Sequence, residues 1–350
     1  MRPLSEYTLE ELQGEFAVWG FKEGHAAAVL RAHYAQDPGN PLEGLLLPKA
    51  LAERLRGADP GAASSLSARQ EASDGTCKLL VRLGDGRTVE AVMMPDYRAD
   101  RAAGCVSTQV GCAMGCDFCA TTKTGYERNL SAGEIVEQFL ALRREARSGG
   151  RRLQTLVFMG MGEPMLNLEA VIAAIRRIGA GELGALGWRQ ITVSTVGIVP
   201  GIDALAESGL KVHLAVSLHA PDDETRAALL PMGRRFGVGD ILAAADRYQA
   251  RTARPVSIQY CLLKGVNDSL AQAGQLAELV GSRRMHVNLL RYNPTGLSLR
   301  GVAYEPSPDD ASLSFMGALR GRGVVAHFRR PRGRDIDAAC GQLRRRVAAV

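Results

Sequence analysis

Cys112, Cys116 and Cys119, three cysteines within eight residues, are the most tightly spaced chemistry-bearing groups in this sequence. Thiolates at that spacing suit three corners of a [4Fe–4S] cube. Such cubes are normally anchored by four cysteines, so a trio leaves one iron for another molecule to bind. A structural zinc site is the competing reading, but zinc needs a fourth donor and commonly two ligand pairs, and no second CxxC pair follows. Cys77 and Cys261 stand in strand-like apolar patterns and read as structural. Cys105 lies one short strand before the trio. Cys340 is followed by glycine in arginine-rich, polar sequence, a poor place for a core thiol.

At 350 residues and 46% hydrophobic, the chain has material for one large domain and a smaller accessory piece. No apolar run is long enough to cross a bilayer, and the start, Met-Arg-Pro-Leu-Ser-Glu, lacks a secretory segment; a cytoplasmic protein with no membrane partner is expected. Seven cysteines, three of them clustered, fit metal or redox chemistry in a reducing compartment better than a disulfide framework. The net charge of +6 is modest, yet nine arginines between Arg320 and Arg346 face only Asp335 and Asp337. That end reads equally as an RNA-facing surface or a solvated basic tail.

The elements that must position these groups begin with short helices. Thr8 to Glu11 has capping-box form ahead of Leu9, Leu12 and Phe16; a second helix is expected over Ala26–Tyr34 and a third from Pro48 to Leu55. Asp59–Ser65 reads as a loop or linker, and Cys77–Leu83 and Thr88–Met94 flank Gly84-Asp-Gly-Arg87 as a hairpin. From Cys105 onward strands alternate with amphipathic helices, the pattern of a parallel α/β sheet. Strands are expected near Cys105–Gln109, Thr155–Gly160, Gln190–Thr195, Val212–Ser217, Val256–Leu262, His286–Arg291 and Val324–Phe328. Ser131 and Glu134 open a helix carrying Ile135, Phe139 and Leu142 on one face. Polar groups follow the strand ends: the trio, Gly160-Met-Gly-Glu163, Ser194-Thr195, Ser217-Leu-His219 and Asn293. In a parallel barrel those ends share one face, so a single site is expected.

On its phrases Cys105-Val-Ser-Thr-Gln-Val-Gly-Cys112, Phe158-Met-Gly-Met-Gly-Glu-Pro164, Ser217-Leu-His-Ala220, Asn267-Asp268 and Asp335-Ile-Asp-Ala-Ala-Cys-Gly-Gln-Leu343, the chain resembles the RlmN/Cfr family of radical S-adenosylmethionine (SAM) RNA methyltransferases. The resemblance runs from about Glu90 to Leu343. It implies an α/β fold: a partial (β/α)6 TIM-like core barrel over residues 98–335, after a helical RNA-binding accessory domain (1–60) and a linker with a β-hairpin extension (61–97). A C-terminal segment (336–350) then carries Cys340. It further implies a [4Fe–4S] cluster on Cys112, Cys116 and Cys119, and two SAM molecules per turnover. Gly162 and Glu163 would hold the amino end of SAM, Ser194, Ser217, Leu218 and His219 its methionine and ribose, with Asn293 completing the pocket and Phe118 near the adenine. Taken as residues alone, His219 is equally a core imidazole, Gly160-Met-Gly a turn and Phe118 a packing side chain.

Adenine C2 and C8 are electron-poor amidine carbons that do not attack the methyl group of SAM. By resemblance, Cys340 takes the methyl group from one SAM, a 5′-deoxyadenosyl radical from the second removes a hydrogen, and the carbon radical adds to the ring. Release then implies Glu90 as proton acceptor and a transient Cys105–Cys340 disulfide, reduced before the next turnover. Read without the resemblance, Glu90 is an exposed carboxylate of a hairpin strand. The implied substrate is an adenosine of large-subunit (23S) ribosomal RNA near the peptidyl-transferase centre, with a flavodoxin or ferredoxin as electron donor. Glu163-Pro164 and Arg332-Gly-Arg-Asp335 look like the C2-methylating branch, whereas Gly265–Leu270 and His286–Thr295 look like the C8 branch. Gly20-Phe-Lys-Glu-Gly-His-Ala-Ala-Ala departs from the family's aromatic and basic helix and leaves transfer RNA open as a further substrate. A zinc-stabilised, non-catalytic ribosome factor would explain the arginines and the trio, but not Cys340 and Glu163.

Overall fold

The computed structural model describes residues 1–35, 42, 44–57 and 64–343, so the expected loop over 59–63 and Arg344, Arg345 and Arg346 lie outside the described residues. Helix α1 (Leu9–Val18) starts at Thr8, whose side chain and that of Glu11 each bond the other's backbone N–H. With α2 (Gly24–Ala35) and α3 (Lys49–Gly57) it buries Leu12, Phe16, Leu30, Tyr34 and Leu51 completely. Strands β1 (Ser64–Glu71), β2 (Cys77–Leu83), β3 (Thr88–Pro95) and β4 (Arg101–Cys105) then form an antiparallel meander. The expected hairpin is β2–β3. Ser64 and Ser65, expected in a linker, instead open β1, an edge strand with an exposed, polar face that period-2 hydrophobicity does not reveal.

A small ribbon of β5 (Gln109–Gly111) and β6 (Tyr126–Asn129) follows, and then α4 (Ala132–Ser148). The chain continues as β7 (Arg152–Phe158), α5 (Leu168–Gly179), β8 (Ile191–Thr195), α6 (Val199–Glu207) and β9 (His213–Ser217). It closes with α7 (Asp223–Leu229), α8 (Val238–Thr252), β10 (Val256–Leu262), α9 (Leu270–Val280), β11 (Met285–Arg291), α10 (Asp309–Arg320) and β12 (Ala326–Phe328). All main strands share one ten-stranded sheet in the order β1-β2-β3-β4-β7-β8-β9-β10-β11-β12. From β4 onward every pairing is parallel, giving six strand–helix units that end on β12.

The first parallel strand departs from expectation. It ends at Cys105 rather than beginning there, because the Ser107 backbone is taken out of the sheet by Gln138 of α4, which accepts the Ser107 N–H (2.9 Å) and donates to its carbonyl (3.1 Å). A Cβ on Gly104 would meet Leu142 of α4 at 3.0 Å, so the odd-even alternation of β4 turns Cys105 to the opposite, inner face. No helix among the described residues is long and apolar enough to cross a membrane.

Beyond β12 the chain doubles back as a strap. Asp335 accepts the Ser73 N–H (2.8 Å), Asp74 accepts the Gly333 N–H (3.3 Å), and Gly333 itself has φ +58° with Thr76 and Ala338 too close to admit a Cβ. At its far end, Ala120 N–H donates to the Gly341 carbonyl (2.7 Å) and Thr121 Oγ1 to that of Leu343 (2.8 Å). Cys340 is thus pinned against the loop that carries the cysteine trio.

Candidate active site

The C-terminal ends of β7 to β11, the trio loop and the strap enclose one cavity of about 1090 Å³, counting its open mouth. Cys112, Cys116, Cys119, Phe118, Gly162, Glu163, Ser194, Ser217, His219, Asn293 and Cys340 all line it. Leu218 does not: alternation along the strand end turns its side chain into the core, fully buried, while its N–H bonds the Gln259 carbonyl (3.1 Å).

Burial first, and the Cys119 and Glu163 charges next, push Cys112 up to about 12; burial and the two neighbouring thiolates raise Cys116 further. The fully buried Arg226 of α7 acts the other way on Cys116, its guanidinium donating to the Val196 and Phe236 carbonyls. Among the described residues no three His, Cys, Asp or Glu side chains are gathered tightly enough to hold a single metal ion, as a zinc site would require. Three thiols lining one cavity suit a polynuclear cationic cluster, which would draw them to the thiolate form.

Beside the trio, Glu163 is 2% exposed and its carboxylate accepts the Met165 N–H (3.1 Å) and the Val196 N–H (2.8 Å). Burial outweighs these bonds and pushes its pKa up to about 7. Gly162 needs its φ of +101°, and a Cβ there would meet Gln109 at 2.6 Å, where Gln109 Oε1 accepts the Glu163 N–H (2.9 Å). The loop is therefore a built turn that sets a carboxylate on the cavity wall.

His219 has φ +60°, a conformation few non-glycine residues adopt. Its Nδ1 accepts the Cys261 N–H (3.0 Å), which leaves Nε2 to carry the proton, and burial next to Arg226 holds its pKa down at about 3. The imidazole is a neutral donor, edge-on to Phe118 with centroids 5.1 Å apart. Asn267 locks this turn: fully buried, it donates to the His219 and Cys261 carbonyls and accepts the Leu263 N–H, each at 2.7 Å. Buried Gln259 lines the cavity with Oε1 lacking a hydrogen-bond partner in the structure, an acceptor suited to a ligand donor.

Cys340 is exposed at the cavity mouth, yet crowding by the cavity wall raises its thiol, while Arg329 pulls it down. Burial pushes Cys105 up to about 12, with Cys340 adding to the rise and Arg329 opposing it. Arg329 lines the cavity with its Nη1 3.1 Å from the Met159 sulfur. Asn293 is engaged by the strap, its Oδ1 accepting from Arg334 Nε (3.1 Å). Glu90, expected at an exposed position, is fully buried on β3 and ion-paired with Lys78 of β2 at 3.3 Å. All seven cysteines are free thiols. Gln259 and Arg226 gave no sequence signal of their own, and Arg329 stood out only as one of the C-terminal arginines; the tertiary fold alone sets Gln259 and Arg329 on this cavity and Arg226 behind its wall.

A sheet of parallel strands with a cysteine trio, a carboxylate turn and a polar pocket at their C-terminal ends defines a radical SAM enzyme, and residues 106–277 match the Radical SAM superfamily. That membership implies a [4Fe–4S] cluster and SAM. The chain is 67% identical over 345 residues to a protein of Opitutus terrae described as a probable dual-specificity RNA methyltransferase RlmN 1, covering 98% of this chain and 97% of that one. It is 42% identical over 347 residues to a probable dual-specificity RNA methyltransferase RlmN of Thermus thermophilus, covering 99% and 94%. The crystal structure of a radical SAM methyltransferase from Sphaerobacter thermophilus superposes with a TM-score of 0.93 at 42% identity, covering 99% of this chain and all of that one. The chain belongs to the RlmN family of radical SAM RNA methyltransferases.

Proposed function

We propose that this enzyme methylates an adenosine of large-subunit ribosomal RNA at C2, in the cytoplasm, with Cys340 as the carrier of the methyl group. The observation that carries the reading is the strap, whose bonds from Ala120 and Thr121 to Gly341 and Leu343 hold Cys340 on the cavity that Cys112, Cys116 and Cys119 line. Cys112, Cys116 and Cys119 would hold the cluster, and Gly162, Glu163, Ser194, Ser217, His219 and Asn293 would line the SAM pocket, with Leu218 behind them. Bound there, the two together supply hydrogen-atom abstraction, drawing the electron from a small redox protein such as a flavodoxin or ferredoxin.

The chain's own residues do the rest. Cys340 accepts a methyl group as a thiolate and presents it to the purine, while the apolar wall around Phe118 keeps water away. Once the ring carbon is joined to Cys340 through that carbon, Glu90 takes the ring proton and the adduct returns its unpaired electron to the electron carrier. The Cys105 thiolate then attacks the Cys340 sulfur and breaks the sulfur–carbon bond, so that the freed carbon takes up a proton to become the methyl group and a disulfide is left to be reduced. Digesting 23S ribosomal RNA from cells with and without the gene, followed by nucleoside mass spectrometry, tests the reading. It expects 2-methyladenosine only where the gene is present; 8-methyladenosine would move the target to C8, and neither product would remove the proposal.

A further inference from the structure

The mechanism leaves the buried pair Lys78–Glu90 half used: it assigns a role to Glu90 and none to Lys78. In the antiparallel register Lys78 stands opposite Val92, and Val92 opposite Cys105, so the three make one cross-strand row. Directly opposed residues share a face, and Glu90 lies two residues from Val92 on the same strand, so Lys78, Glu90 and Cys105 all project inward, away from α4. Lys78 Nζ is 3.3 Å from Glu90 Oε1, with side chains 6% and 1% exposed. Ser107 Oγ meanwhile donates to the Glu90 carbonyl (2.7 Å) and accepts the Met161 N–H (2.8 Å), which ties the β3 backbone to the cofactor loop.

A buried ion pair adds little to stability compared with apolar packing, so its presence here calls for another use. We infer that Lys78 is a positioning residue for Glu90, fixing its carboxylate on the inner face that Cys105 shares so that it can take the ring proton. This deepens the reading of Glu90 given above and rests on it. Titratable groups on the inner face of these strands include Lys78 on β2 and Cys105 on β4, and Met94, further along the same face of β3, lies against Arg329, Arg330 and Arg332 of the strap. Lys78 is the cation in direct contact with this carboxylate, and removing a close opposite charge raises the pH at which a carboxylate titrates.

Two arms test this with the full chain. In the first, cofactor-free protein is unfolded with urea as wild type, Lys78→Met, Glu90→Gln and the double variant. Each single variant strands a buried charge or polar group, and the double variant recovers a large part of the loss; strict additivity would overturn the pairing. In the second, reconstituted enzyme and RNA are quenched after a single turnover and separated on a denaturing gel. Lys78→Met accumulates RNA tethered to protein, releases it about tenfold or more slowly, and shifts the pH midpoint of release upward, while Lys78→Arg largely restores both. Release from Lys78→Met at the wild-type rate and pH midpoint would overturn the inference. If wild type itself forms neither tether nor methylated adenosine while the first arm shows coupling, the catalytic reading of Glu90 has failed and the pair is structural only.

Discussion

Replacing Glu163 with glutamine gives the sharpest physical test of the cofactor turn. Burial raises the carboxyl from its ordinary 4.5 to about 7, so the folded chain binds this proton more tightly than the unfolded chain does. The sign follows: the contribution is whole below about pH 4.5 and is lost as pH rises through about 7. A gap of about 2.5 pH units at about 1.4 kcal/mol each makes about 3.5 kcal/mol in all, of which about 3 kcal/mol is lost above about pH 4.5, where the unfolded carboxyl is already half-titrated. Glutamine does not titrate. It keeps one acceptor for Met165 or Val196 but turns an amide donor toward the other N–H, a pH-independent cost of about 1 to 3 kcal/mol. Urea unfolding of the reduced, cofactor-free chain between pH 4.5 and pH 8 should therefore show wild type losing about 3 kcal/mol relative to Glu163→Gln across that interval. Curves for the two proteins that stay parallel within about 0.5 kcal/mol would refute the claim that burial controls this carboxyl.

Other substitutions probe the remaining geometry. Gly162→Ala forces a Cβ to 2.6 Å from Gln109 at a φ of +101°, so it should cost about 1 to 3 kcal/mol in urea unfolding and weaken SAM binding in equilibrium dialysis. Asn267→Ala leaves the His219 and Cys261 carbonyls and the Leu263 N–H without their partner, and a loss of about 3 kcal/mol or more is expected; near wild-type stability would contradict the lock. Thr121→Val removes the bond to the Leu343 carbonyl, so it should slow RNA methylation while the bound iron measured per chain stays at the wild-type level.

What the sequence reveals depends on whether local or tertiary forces decide each element. Val256–Leu262 is legible to the residue because Val256, Ile258, Tyr260 and Leu262 alternate with Ser257, Gln259 and Cys261, the period of two that a strand requires. The capping boxes at Thr8 and Ser131 likewise mark their helices from short-range chemistry alone. The end of the first parallel strand is not legible, since Gln138, thirty-one residues on, decides where the backbone leaves the sheet. The site divides in the same way. Glycine and polar residues after strand ends point to the cavity, as parallel topology requires. Leu218 and Glu90 need the fold: strand alternation buries the first, and the continuation of the sheet into β2 and β3 buries the second beside a lysine that no motif includes.

The central claim is that Cys340 carries the transferred carbon. Protein incubated with SAM without oxygen, digested and examined by peptide mass spectrometry, should show one added methylene on the peptide bearing Cys340, and Cys340→Ala should bind iron normally yet yield no methylated adenosine. A Cys340→Ala enzyme that methylates ribosomal RNA at the wild-type rate would contradict the account.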